Sequence, residues 1–263
     1  MSNYKHNSDS LIIANRAFHS RLLIGTGKYA DKPLMAKAIT ASGAEIITTA
    51  IRRVDLNQGK QDAFVSHICP EKYVFLGNTS GARNAEEAIR LAQAIRSAGI
   101  SDWIKLEVIP DAQYLMPDPV ETFKAAKLLI KDGFKILPYI HADPVLSKKC
   151  EDIGCSAVMP LASPIGSNQG LKMLYMIHLI IAQSSVPVII DAGISSPSDA
   201  CKLMEIGCDA VMVNTAIATS ANPVIMATSF HQAIQAGRQA FLAGLGPVSN
   251  SAEASSPLTA FLK

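Results

Sequence analysis

Short apolar runs and amphipathic stretches alternate along the chain from residue 21 onward. Leu22-Leu23-Ile24 reads as a first strand and runs into Gly25-Thr26-Gly27. Residues 31–42 read as a helix stopped by Gly43, a common helix terminator. Residues 45–51 form a second, β-branched strand, and residues 73–76 a third. Between them, residues 55–70 are polar and then partly helical. Residues 84–98 carry Ala88, Leu91, Ala92 and Ile95 at helical spacing, with Glu86, Glu87, Arg90 and Arg96 outside that stripe. Further strands are predicted at 103–109, 135–140, 157–161, 187–190 and 210–213. Helices are predicted at 118–132, with Asp118 as cap and Pro119 first, from Asp143-Pro144, at 171–183, at 197–206 after Ser196, and at 222–242.

That makes eight strands, most followed by a helix. Strands apolar throughout and joined by helical crossovers imply a parallel sheet. Eight such units in a chain of 263 residues point to a single-domain (β/α)8 TIM barrel, with a doubly wound open sheet as the competing architecture. The barrel is expected over residues 11–245, between a poorly ordered tail at 1–10 and a second tail at 246–263. Apolar residues make up 49% of the chain, enough for a large core, yet their unbroken runs are too short to span a bilayer. Residues 1–10 lack an apolar signal core, so a soluble, cytoplasmic protein is expected. A net charge of +2 gives no reason to expect nucleic acid as a partner. Five cysteines without a CxxC pair read as reduced thiols packed as small hydrophobes, and the six histidines lack metal-ligand spacing, so neither metal nor cofactor is expected.

The strand at 103–109 departs from this bland pattern. Side chains alternate between faces, so Ile104, Leu106 and Val108 share one side, and Trp103, Lys105, Glu107 and Ile109 the other. A lysine and a glutamate on one face read either as a salt bridge on an exposed strand or as a reactive centre. A buried lysine with a lowered pKa is the usual starting point for imine chemistry with a carbonyl substrate. In a barrel, active sites lie at the C-terminal ends of the strands. That rule gathers Lys105, Glu107, Asp191, Asn214, Thr215 and Gly166 around one mouth. Glycine-rich turns before helices, such as Ala192-Gly193 and Ile165-Gly166-Ser167, suit phosphate because backbone N–H groups point outward and no Cβ blocks approach. Asp191 reads as either a helix cap or a general acid/base. Arg52 and Arg53 read as carboxylate-binding or subunit-contact groups, and His141 as a structural hydrogen-bonder.

The chain resembles the bacterial thiazole synthase (ThiG) family, which makes the thiazole phosphate half of thiamine. The resemblance runs from about Leu11 to the C-terminus. It rests on Ala41-Ser42-Gly43-Ala44-Glu45-Ile46-Ile47 with Arg52-Arg53, Trp103-Ile104-Lys105-Leu106-Glu107-Val108, Pro160-Leu161 with Ser163-Pro164-Ile165-Gly166-Ser167, Val188-Ile189-Ile190-Asp191-Ala192-Gly193-Ile194 and Val213-Asn214-Thr215-Ala216-Ile217-Ala218. It implies a (β/α)8 barrel and three inputs: 1-deoxy-D-xylulose 5-phosphate, dehydroglycine from a separate enzyme (ThiO or ThiH), and sulfur from a carrier protein (ThiS) ending in a thiocarboxylate. It also implies that Lys105 forms the imine, that Glu107 and Asp191 move protons, and that Gly166, Ala192, Gly193, Asn214 and Thr215 bind the sugar phosphate. A homo-oligomer, dimer or tetramer, is implied as well. Ala162, Asn168, Gly77, Ala82 and Ser195 depart from the family pattern. Two other readings compete: a different Schiff-base barrel of aldolase type, and a non-catalytic sugar-phosphate-binding protein.

Overall fold

The structure is a computed structural model and describes residues 9–50, 72–252, 254 and 255. The chain opens with an antiparallel hairpin of β1 (Leu11–Ile13) and β2 (Arg16–Phe18), with Ile13 opposite Arg16. Ala14 and Asn15 between them have φ of 47° and 63°, the two left-handed residues of a type I′ turn. Then follow β3 (Leu22–Gly25), α1 (Lys32–Ser42), β4 (Ile46–Ala50), β5 (Val74–Asn78), α2 (Ala85–Ser97), β6 (Trp103–Leu106), α3 (Pro119–Lys131) and β7 (Lys135–Ile140). The second half carries α4 (Pro144–Asp152), β8 (Met159–Pro160), α5 (Leu174–Gln183), β9 (Ile189–Ile190), α6 (Pro197–Glu205), β10 (Ala210–Val213), α7 (Thr215–Ala218) and α8 (Pro223–Ala243).

The large sheet runs in the order β8-β7-β6-β5-β4-β3-β10-β9. Every pairing in it is parallel. Parallel bridges Val158↔Val188 and Leu161↔Asp191 join its two edges. The sheet therefore closes, and the open doubly wound alternative fails. The helices start where their capping residues stand: the side chains of Asp118, Asp143 and Ser196 each accept backbone N–H bonds from the first turn, with Pro119, Pro144 and Pro197 in that turn. Such caps contribute about 1 kcal/mol each.

Two apolar layers hold the barrel. Outward strand residues such as Ile47, Ile104, Leu106 and Ile190 pack under the helices. Inward residues such as Leu23, Ile46, Trp103, Leu137 and Met159 fill the N-terminal half of the barrel. Leu11, Ile13 and Phe18 of the hairpin belong to that inner cluster and close the barrel's lower end. The Phe18 and Trp103 rings meet edge to face, 5.9 Å apart at 87°. This hairpin and α7 were not expected from the apolar pattern. The predicted strand at 103–109 is shorter than its apolar run: β6 ends at Leu106. Beyond it, Glu107 N donates to Thr79 Oγ1 and Thr79 Oγ1 donates to Glu107 O, each at 2.8 Å, so a side chain replaces the ladder. The segment 55–70, Arg52, Arg53 and Cys69 lie outside the described residues. No helix among the described residues is long and apolar enough to cross a membrane.

Candidate active site

The inward positions change character two residues further along each strand, as the two-residue period requires. Trp103 is followed by Lys105 on the same face, Ile189 by Asp191, Ile46 by Thr48, Leu76 by Asn78 and Met212 by Asn214. The upper members of these pairs line a cavity of about 220 Å³ at the C-terminal end of the barrel. Lys105, Glu107, Asp191, Gly166, Ala192, Gly193, Asn214 and Thr215 all border it. The sequence-predicted site is thus one place in three dimensions, assembled from β6, β9, β10 and the loop after β8.

Lys105 is only 5% exposed, Glu107 3% and Asp191 4%. Lys105 Nζ lies 2.5 Å from Asp191 Oδ2 and 3.1 Å from Glu107 Oε1. Burial alone would favour the neutral amine. Asp191 and then Glu107 outweigh it and hold the Lys105 pKa above the usual lysine value. The expected lowered pKa is therefore corrected: two carboxylates hold Lys105 as an ammonium between them. Such a group becomes a nucleophile only after handing a proton to one of its partners, and Asp191 is the nearer.

The carboxylates are themselves oriented. Glu107 Oε1 accepts a 2.9 Å bond from Asn78 Nδ2, and Asn78 Oδ1 accepts Ser80 N at 2.6 Å, which fixes the direction of the amide. Asp191 Oδ1 accepts Ala192 N at 2.7 Å. Asp191 does not cap the following helix; Ser196 and Asp199 do that through a reciprocal capping box. Both carboxylates lie close enough to Lys105 Nζ to exchange protons with a group bound there.

The loops form a second zone of the cavity. Gly166, Ala192 and Gly193 have φ of 72°, 53° and 74°. A methyl group on Gly193 would meet Ser163 Oγ at 1.9 Å, so this position tolerates no side chain. The N–H groups of Gly166 and Gly193 have no acceptor among the described residues, and both residues border the cavity. Asn214 behaves differently. With its amide turned to satisfy both carbonyls, Nδ2 donates to Gly27 O at 3.0 Å and Gly25 O at 3.2 Å. Its side chain pins the loop after β3, and both it and Thr215 border the mouth.

The departures from the family pattern are accommodated. Asn168 takes a left-handed conformation, φ 47°, which asparagine adopts more readily than most residues. Ala162 is fully buried in the outer core, and Ala162 N donates to Asp191 O at 2.8 Å. Ser195 Oγ donates to Asp199 Oδ2 at 2.6 Å and adds a tie to the α6 cap.

Sequence reasoning missed Tyr139, Thr48 and Asn78. The Tyr139 ring centroid is 5.5 Å from Lys105 Nζ, and its hydroxyl is buried with no partner among the described residues. Burial, and then the charges of Asp191 and Glu107, push its pKa well up, so it stays a neutral phenol. Its signal was present: it shares the inward parity of Leu137 on β7. The His141 ring makes no hydrogen bond among the described residues, so its expected structural bond is absent there. Cys150, Cys155 and Cys208 are buried thiols, and burial raises the Cys208 pKa. Among the described residues no cluster of three or more His, Cys, Asp or Glu could hold a metal.

Comparison with known proteins bears on the same residues. The family described as "Thiazole biosynthesis protein ThiG" matches residues 12–257. Thiazole synthase from Syntrophobacter fumaroxidans is 55% identical over 253 residues, covering 96% of this chain and 98% of that protein. Thiazole synthase from Shewanella amazonensis is 56% identical over 252 residues, 96% of this chain and 93% of that one. Among solved structures, the Amycolatopsis orientalis BexX/CysO complex superposes with a TM-score of 0.81 at 31% identity, over 92% of this chain and 98% of that chain. Thiamine phosphate pyrophosphorylase from Pyrococcus furiosus, at 14% identity and a TM-score of 0.58 over 82% of this chain and 95% of that one, shares the fold alone. A barrel closed around Lys105, and full-length identity above one half to thiazole synthases, place this chain in the ThiG family of thiazole synthases, enzymes of thiamine biosynthesis.

Proposed function

We propose that the cavity binds 1-deoxy-D-xylulose 5-phosphate with its ketone at Lys105 and its phosphate at the glycine loops. The observation that carries this is the Lys105 ammonium held at 2.5 and 3.1 Å between two buried carboxylates on the floor of a phosphate-ready mouth. Asp191 takes the ammonium proton as the ketone arrives. The freed amine adds to the carbonyl carbon, and loss of water gives a protonated imine, an electron sink that acidifies the neighbouring C–H. Glu107, oriented by Asn78, is placed to remove that proton and return it one carbon along. This shift exposes a new carbonyl to the thiocarboxylate of a carrier protein: sulfur bonds to that carbon, the carrier's C–S bond breaks, and the displaced oxygen leaves on the carrier as its carboxylate. Condensation with dehydroglycine then closes the ring to thiazole phosphate carboxylate and releases Lys105. Holding the phosphate end fixes the ketone before chemistry begins.

The relative crystallised as a BexX/CysO complex supports the presence of a protein partner for this fold, and we read that partner here as the sulfur carrier (ThiS). Family membership sets aside the non-catalytic sugar-phosphate protein. An aldolase-type reaction differs from the proposed one in needing no sulfur donor. Reconstitution with the sugar phosphate, a dehydroglycine source and the thiocarboxylated carrier should yield a thiazole, and leaving out any one input should abolish it. Product formation without the carrier would overturn this reading.

A further inference from the structure

The positions of the loops after β8, β9 and β10 that border the cavity, among them Gly166, Ala192, Gly193, Asn214 and Thr215, offer neutral donors only. A phosphate monoester carries close to two negative charges at neutral pH, and neutral N–H groups leave most of that charge uncompensated. Among the described residues, one cation besides Lys105 lies against this cradle. A methyl group placed on Gly166 would lie 2.8 Å from Lys28 Nζ and 3.8 Å from Thr215 Oγ1. The Lys28 ammonium therefore sits over the bare α-carbon of Gly166 and close to the Thr215 hydroxyl, at the rim of the same loop cradle.

Four further observations support a built position. Lys28 follows β3, which pairs with β10, so its loop is the cradle's neighbour around the barrel. Asn214 grips that loop through Gly27 O, the residue just before Lys28. Lys28 has φ of 69°, a left-handed conformation uncommon for a residue with a side chain. Among the described residues its ammonium has neither an ion pair nor a hydrogen bond, unlike Lys105, Lys135, Lys148 and Lys202. A lysine held in an unusual backbone conformation, over a glycine, with its charge unspent, is arranged for an anion.

We infer that Lys28 supplies the counter-charge for the substrate phosphate and so positions the sugar for attack by Lys105. This rests on the reading of the loops as a sugar-phosphate cradle. It predicts a charge effect confined to the phosphorylated ligand. The test is calorimetric binding of 1-deoxy-D-xylulose 5-phosphate and of its dephosphorylated form, 1-deoxy-D-xylulose, to wild type, Lys28→Met and Lys28→Arg. Wild type should prefer the phosphorylated sugar. Lys28→Met should cut that preference about tenfold while leaving the dephosphorylated sugar unchanged, and Lys28→Arg should restore most of it. If wild type shows no preference for the phosphate, the cradle reading fails and this inference falls with it. If wild type prefers the phosphate and Lys28→Met keeps the same preference, the cradle stands and the role of Lys28 is overturned.

Discussion

The two ends of the barrel are built from the same strands and do opposite work. At the lower end, Trp103 points into an apolar cluster sealed by Phe18 and the N-terminal hairpin. Two residues along, on the same face of the same chain, Lys105 points into a charged cavity. The lower layer gains stability by excluding water, and its inner cluster of described residues is apolar, with the Arg21–Asp9 and Lys135–Asp102 pairs at the barrel's lower end. The upper layer places an ammonium and two carboxylates out of solvent, which is costly unless each compensates the others. The lower layer makes the upper one possible: a rigid floor holds the backbone from which Lys105, Glu107 and Asp191 converge.

The comparison breaks most sharply at Asp191. Asp191→Asn removes the nearer proton acceptor of Lys105 and keeps the shape. Turnover per folded molecule should fall by about 10²–10⁴-fold, the usual contribution of a positioned acid or base, while the variant still folds with a lowered thermal midpoint. Steady-state kinetics and a melting curve on the same preparation decide it; unchanged turnover would remove Asp191 from the proton path. Phe18→Ala tests the opposite end. It should cost about 3–5 kcal/mol of stability in denaturant unfolding and leave turnover per folded molecule as in wild type. A selective loss of turnover with normal stability would show that the two ends are not separable.

These two outcomes also mark what the sequence made legible. Lys105, Glu107 and Asp191 were readable because strand parity and the barrel rule convert linear positions into one mouth. The raised Lys105 pKa was not readable, because it depends on Asp191 coming from a strand more than eighty residues away. The hairpin stayed hidden because its I′ turn is Ala14-Asn15, without the glycine that advertises such turns. Tyr139 and Asn78 sat in strands that looked wholly apolar or were taken as turn, and only the folded barrel shows that Asn78 borders the cavity and that the Tyr139 ring lies 5.5 Å from Lys105 Nζ. Lys28 carried no signal until the loop after β3 was seen folded over Gly166.

A smaller effect separates the charged layer from the apolar one by pH. The Lys105 pKa in the folded protein lies above its unfolded value of 10.5. Its contribution to stability is therefore complete below 10.5 and is lost as pH rises through the higher folded value. The stability difference between wild type and Lys105→Met should stay flat from neutral pH to 10.5 and shrink only beyond it. The difference between wild type and Phe18→Ala should show no such change. A Lys105 contribution already declining near pH 8 would contradict an ammonium held between the two carboxylates.

The central claim is that Lys105 is the residue on which the sugar ketone is captured. Intact-mass spectrometry after borohydride reduction with 1-deoxy-D-xylulose 5-phosphate tests it most directly, with wild type and Lys105→Ala side by side. The account predicts one reduced sugar-phosphate adduct on wild type, located at Lys105, and none on the variant. An adduct that persists in Lys105→Ala, or wild type that binds the sugar phosphate by calorimetry yet is never trapped, would contradict it.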